Sequence, residues 1–434
     1  MLAVLAAMIS ACGGGGESTT STTQSSSVSS YTLSGTISGL SGAGLILAND
    51  SATLSVAAAA TSFSFVTTSS SYSISVASQP DGQICAVSNG SGTATGNVSN
   101  VVVTCRGYMA YVTNNSGSSI GQFSVTSGSG LLVALSTPTF STTYSPSSIV
   151  LSADGQYAYV AHQDSKTIGA YTIGSSGLLK LNTTVSANSA GYGLALKADG
   201  SALYAADYGA ATVSQFSVSS GTPGAMTTKT VAAGINPVSV AVTPNGKYAY
   251  VVNESDNSIS QYSVASSGAL TSLTTATVSL SSLGTTPKSI VISPDSSYLY
   301  VILTDSDLVA QFSIGSTGAL SAISPASVAT GSSPRGIAIS PNGAYAYVAN
   351  YAANTVSQYI ISSGRLTALS VASIAAGSQP YGVAISPDGR YVYVTNSGDA
   401  TISQYAIGAG GALSALSTAS VASNGLKPTS IAVH

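Results

Sequence analysis

Arg335, Glu254 and His162 are the side chains of this sequence best suited to chemistry, each at a turn that flanks a predicted strand. A guanidinium can hold a carboxylate or polarise a carbonyl, and Glu254 or His162 can pass a proton. A rim arginine paired with a loop carboxylate, and a solvated loop histidine, are the plainer readings of the same residues. Tyr192, Lys288, Tyr381, Tyr208, Tyr351 and Asn253 fall at equivalent turns and are the expected binding residues. Asp305-x-Asp307, with Asp256, offers the oxygen ligands that Ca²⁺ takes. Two aspartates in a polar loop are more simply solvated, and neither metal nor cofactor is expected. No Ser/His/Asp order, phosphate-cradling glycine loop or Cys/His zinc spacing is present, and His434 is expected to be inert.

Such side chains are scarce. Only 6% of the 434 residues are charged, against about 25% in an ordinary soluble domain. Ser, Thr, Asn, Gln and the backbone must therefore wet the surface. A net charge of -3 with no basic stripe argues against a nucleic-acid partner and against strong steering of a charged substrate. Mean hydropathy is positive, +0.36, yet past the N-terminus no run approaches the roughly 18 apolar residues of a spanning helix. The apolar residues alternate instead, as in Val238-Ser239-Val240-Ala241-Val242, with Gly, Ser and Pro clusters between runs. Alternation and turn residues together predict an all-β chain.

The elements that must position the candidate residues repeat. A Tyr-x-Tyr-Val pattern recurs with its second tyrosine at Tyr111, Tyr159, Tyr204, Tyr250, Tyr300, Tyr347 and Tyr393. Spacings of 45 to 50 residues with four strand-like runs per unit are the signature of propeller blades. The array opens on a second-type strand (108–112) and ends on a lone inner-type strand (430–433), so the two complete a seventh blade and leave no open edge. Inner strands then begin, and second strands end, on one face of the ring. That face pools Ser147, Tyr192, Val238, Lys288, Arg335, Tyr381 and Thr429 with the loop residues after each second strand. A Gln-Tyr/Phe pair marks the third strand of six blades, at Gln122, Gln215, Gln261, Gln311, Gln358 and Gln404. Repetition points to structure, because a catalytic group would be unique to one blade.

Tyr111-Val112-Thr113-Asn114, Tyr393-Val394-Thr395-Asn396 and the recurring Gly-Ala-Leu at Gly268, Gly318 and Gly411 resemble the YVTN/lactonase-like seven-bladed β-propellers of 6-phosphogluconolactonase type. The resemblance implies that fold over 106–434. Ser333-Pro334-Arg335-Gly336 is similar to the Pro-Arg-His segment of that family, which implies an Arg335 facing the central channel. Gly336 stands where the family has its histidine, and this leaves the proton-transfer partner in doubt.

Ahead of the ring the text changes. Residues 1–11 form a short apolar segment, and Ile9-Ser10-Ala11-Cys12 resembles the lipobox of bacterial lipoproteins. That implies cleavage before Cys12 and lipidation of its thiol, with 12–30 as a Gly/Ser/Thr-rich tether. Residues 31–105 read as a small β-sandwich-like domain. In an exported chain, Cys85 and Cys105 pair as a disulfide; free or metal-bound thiols are the alternatives. The run 79–90 is similar to an Ig-like spacer module of exported repeat proteins.

The first functional reading is an envelope-anchored recognition scaffold, held at the outer membrane by its lipid alone, whose mouth binds an envelope protein, a glycan or a small molecule. The alternative is a lactone hydrolase acting on an uncharged or sugar lactone.

Overall fold

Short alternating strands joined by tight turns can bury only one sheet face each, so four-stranded units must stack on one another. The computed structural model describes residues 30–434. The expected signal segment, Cys12 and all but the last residue of the tether lie outside the described residues. Seven four-stranded antiparallel sheets form a closed seven-bladed propeller. Blades 2 to 7 span 146–186, 190–232, 237–279, 287–329, 334–375 and 380–422. Blade 1 takes its outer three strands from 109–141 and its inner strand, Pro428–Val433, from the other end of the array. That strand pairs antiparallel with Met109–Asn114, with Ile431 opposite Val112.

Two hydrogen bonds are repeated between blades. The second-strand tyrosine donates its hydroxyl to the glycine carbonyl in the outer turn of the next blade. Tyr111 reaches Gly177, Tyr204 Gly268, Tyr250 Gly318, Tyr300 Gly364, Tyr347 Gly411 and Tyr393 Gly130, at 2.5–2.9 Å. Those glycines sit at positive φ (Gly364 at 76°), and a Cβ on Gly364 would fall 2.1 Å from the Tyr298 ring. No other residue fits both demands. The recurring glutamine supplies the second latch. Its Oε1 accepts the N–H of Leu179, Leu270, Leu320, Leu366, Leu413 or Leu132 in the next blade, at 2.6–2.9 Å.

The seam between blades 2 and 3 lacks both latches. Blade 2 has Ala170 opposite Tyr159, where other blades place the glutamine. Pro223 of blade 3 pairs with Val218 as Leu366 of blade 6 pairs with Ile361, and proline has no N–H to offer. Tyr159 is 1% exposed, yet among the described residues its hydroxyl bonds to no protein group.

The N-terminal unit is two four-stranded sheets over one core of Leu33, Leu47, Phe63, Phe65, Ile74, Val101 and Val103. It holds a Cys85–Cys105 disulfide between residues paired directly across two strands. Val98–Gly107 runs through the boundary expected at 105/106, and only Tyr108 separates it from blade 1. Ile84 packs with Tyr108, Phe123 and Tyr391 of the ring, so the two units share core.

His434 is not inert at this junction. Its backbone exchanges hydrogen bonds with Met109, and its buried ring donates from Nε2 to the Gly155 carbonyl at 3.0 Å. Arg106 lies 3.3 Å from the same nitrogen. Burial chiefly, then the Arg106 charge, lowers the His434 pKa to about 4, with Gly155 and Asp154 opposing.

Two outcomes follow from these contacts. Replacing Tyr250 with Phe removes one inter-blade bond and lowers unfolding free energy by about 1 kcal/mol; Tyr159→Phe leaves it unchanged, as denaturant titration of the two variants will show. A histidine held neutral in the fold stabilises fully above its unfolded pKa near 6.5. That contribution, of order 3 kcal/mol, drains away as pH falls from about 6.5 to 4. His434→Gln keeps a donor for Gly155 and flattens this part of the stability–pH curve.

Candidate active site at the channel mouth

Around the axis the inner strands read Pro-x-Ser/Gly in six of seven blades, and blade 3 has Gly191-Tyr192-Gly193. The small third residue is a packing requirement. A Cβ on Gly336 would lie 2.3 Å from the Tyr381 carbonyl oxygen of the neighbouring inner strand. No histidine can stand there without moving a strand. The close packing also leaves a central cleft of about 470 Å³, within the roughly 300–1,000 Å³ of small-molecule sites.

Two rings of side chains line this mouth. The first is the residue before the small one: Ser147, Tyr192, Val238, Lys288, Arg335, Tyr381 and Thr429 all face the cleft. The second is the residue after the motif asparagine position, which His162, Asp207 and Leu303 occupy in blades 2, 3 and 5. It contributes Asn115, Gln163, Tyr351 and Ser397 to the cleft; Tyr208 and Glu254 are not in the lining but touch it, Tyr208 against Tyr192 and Glu254 paired with Lys288. Asn115, Gln163 and Ser397 were missed in the sequence; their signal is the constant position one residue after the motif asparagine.

Arg335 has no carboxylate partner: the ion pairs among the described residues are Lys288–Glu254 and Lys197–Asp199. Its guanidinium carbon lies 5.2 Å from the Tyr351 ring centroid and 6.0 Å from that of Tyr381, and its Nε is buried without a hydrogen-bond partner. Facing aromatic rings attract a cation while leaving its N–H donors free. The Tyr192 and Tyr208 rings lie with centroids 4.6 Å apart, tilted at 41° to each other. Burial pushes the Tyr381 hydroxyl up, with Arg335 opposing and Tyr192, Glu254 and Tyr351 adding. The phenol stays a neutral donor.

Two expected site residues are elsewhere. Asn253 is wholly buried, and its Nδ2 donates to Ser258 and Ser260 at 2.9 Å. A Cβ on Gly234, in the loop from blade 3, would come 2.7 Å from its amide, so the motif asparagine anchors the crossover between blades. His162 holds the same position in blade 2 and is neither at the mouth nor solvated: it is 4% exposed, Nδ1 lies 3.3 Å from the Thr167 hydroxyl, and Nε2 is buried and unpartnered. Burial lowers its pKa, opposed by Thr167 and Asp164. The Ca²⁺ candidates also disperse. Asp305 accepts from Thr286, Asp307 from the Ser333 N–H, and Asp256 from Ile235 and Ser258. Each caps a loop of its own.

Asn253→Ala is therefore expected to cost about 1–3 kcal/mol of stability and to leave ligand binding at the mouth unchanged, measured by denaturant titration beside a binding assay.

The family model described as "Lactonase, 7-bladed beta-propeller" matches residues 79–192 and 194–433. Among solved structures, a Bacteroides fragilis protein provisionally called a 6-phosphogluconolactonase is 22% identical with a TM-score of 0.65, covering 75% of this chain and 98% of its own. A Bacteroides uniformis protein of the same provisional description is 21% identical with a TM-score of 0.66 over 75% and 99%. The periplasmic gluconolactonase of Pseudomonas aeruginosa is 20% identical with a TM-score of 0.65 over 75% and 98%. At such identities the likeness concerns the fold. No protein of curated function matches the sequence.

Proposed function

The chain belongs to the lactonase, seven-bladed β-propeller family, and from that premise we propose that it hydrolyses an uncharged or sugar lactone at the channel mouth. The observation that carries this reading is the unpaired Arg335 guanidinium, held between Tyr351 and Tyr381 with its Nε unpartnered. A lactone carbonyl accepting from it becomes more electrophilic, and the oxyanion formed when water adds is stabilised by the same donors. Glu254, held by Lys288, takes the proton from the attacking water. Collapse of the adduct breaks the ring C–O bond, the leaving alkoxide takes up a proton, and a hydroxy acid results.

An uncharged substrate fits the charges. Glu254 neutralises Lys288 and Arg335 serves the carbonyl, so among the lining residues Lys427 is the single cation left for a phosphate. Tyr192 and Tyr208 offer ring faces to a sugar. The Cys85–Cys105 disulfide supports an oxidising compartment, in keeping with an exported protein anchored through Cys12.

The test is hydrolysis of glucono-1,5-lactone, dihydrocoumarin and a phosphorylated sugar lactone by the full chain, followed in a pH-stat against the spontaneous rate. Arg335→Ala should lower kcat/KM by about 100-fold or more, with the uncharged lactones preferred. Absence of turnover above background would remove the hydrolase reading and leave a recognition scaffold.

A further inference from the structure

The seam between blades 2 and 3 opens on the face away from the mouth, where the turns between inner and second strands lie. A cleft of about 570 Å³ occupies it, lined by Asp154, Gln156, Tyr157 and Tyr159 of blade 2 and by Asp199 and Ser201 of blade 3, among others. At the six other seams the tyrosine hydroxyl is consumed by the glycine carbonyl of the next blade. Here the equivalent acceptor is Gly221, which also lines the cleft, and Tyr159 does not bond to it. A side chain 99% buried thus presents an unpartnered hydroxyl to an open cavity. Ala170 and Pro223 have removed the second latch at the same place, from both sides of the seam. A single loss would be a defect in one blade; matched losses on two blades leave a continuous opening.

We propose that this cleft is a carbohydrate-binding site, separate from the channel mouth and specific for a neutral saccharide. The lining dictates the class. The Asp154 carboxylate and the Gln156 amide oxygen accept hydroxyl hydrogens, while Tyr159 and the Gln156 amide donate; the Ser201 hydroxyl is already given to Asp199, which Lys197 also holds, and its oxygen can still accept. Tyr157 is half-buried and brings an aromatic ring to the cleft wall, where the C–H face of a sugar can rest. The apolar side chains that line it, Ala153, Ala198 and Val218, are small. Two carboxylates repel an anion, and Lys197, paired with Asp199, cancels one of them. Burial raises the Tyr159 pKa to about 12, which keeps its hydroxyl a donor at any working pH. What remains is a ligand dense in uncharged hydroxyls that can give and take hydrogen bonds at once.

The experiment titrates the full chain with maltose, cellobiose and N,N′-diacetylchitobiose, by calorimetry and by saturation-transfer NMR. Tyr159→Phe should weaken binding of the preferred saccharide at least about fivefold, the worth of one hydrogen bond. The variant should unfold as the parent does and retain its lactone hydrolysis. Ser201→Trp, which fills the cleft, should abolish binding. Failure of all three saccharides to bind the parent would overturn the proposal. So would binding that survives both substitutions, because the sugar would then sit elsewhere.

Discussion

Antiparallel pairing of Pro428–Val433 with Met109–Asn114 joins residues more than 300 positions apart, and the rest of the molecule depends on it. A four-stranded blade has two faces and buries neither alone. Each of the seven covers its neighbours only when the circle is complete, since an open ring would expose two apolar faces and an unpaired strand edge. The His434–Met109 backbone bonds continue this ladder to the face away from the mouth, where Arg106 brings the N-terminal unit against it.

Closure brings seven inner strands together on one axis, and that proximity shapes the mouth. Small residues are required where the strands meet, so the wall is Ser and Gly backbone, and distinctive chemistry is confined to the rim. Among the described residues most buried polar groups are answered by backbone, hydroxyl or amide rather than by charge, the exceptions including one oxygen each of Asn114, Asn253 and Asn396. Against that background an arginine held by aromatic faces rather than by a carboxylate stands out physically: it has been desolvated in part without being neutralised.

Repetition separates structure from specificity. The tyrosine and glutamine latches and the motif asparagine perform one task in blade after blade, so their chemistry is spent within the fold. Departures carry the information. Ala170 with Pro223 frees Tyr159, and Gly336 excludes a side chain beside Arg335. His162 replaces an asparagine without reaching solvent, so a departure matters only where it leaves a group accessible.

The sequence by itself determined the strand content, the seven units, their closure and the face on which the loop residues gather. These rest on local alternation, on turn chemistry and on a period, all of which are properties of neighbouring residues. The cysteine pairing and the first rim of the mouth, from Ser147 round to Thr429, were legible for the same reason. Tertiary structure decided whether a given polar residue is consumed or free. Asn253 and His162 read as mouth residues because they end a strand beside it, yet the crossover from the preceding blade covers both. Arg335 read as half of an ion pair, but none of the described carboxylates pairs with it. The opening at Tyr159 depends on residues 11 and 64 positions away, Ala170 and Pro223, which meet only across a seam between blades. Hydrogen-bond satisfaction is a property of neighbours in space, and no local pattern encodes it.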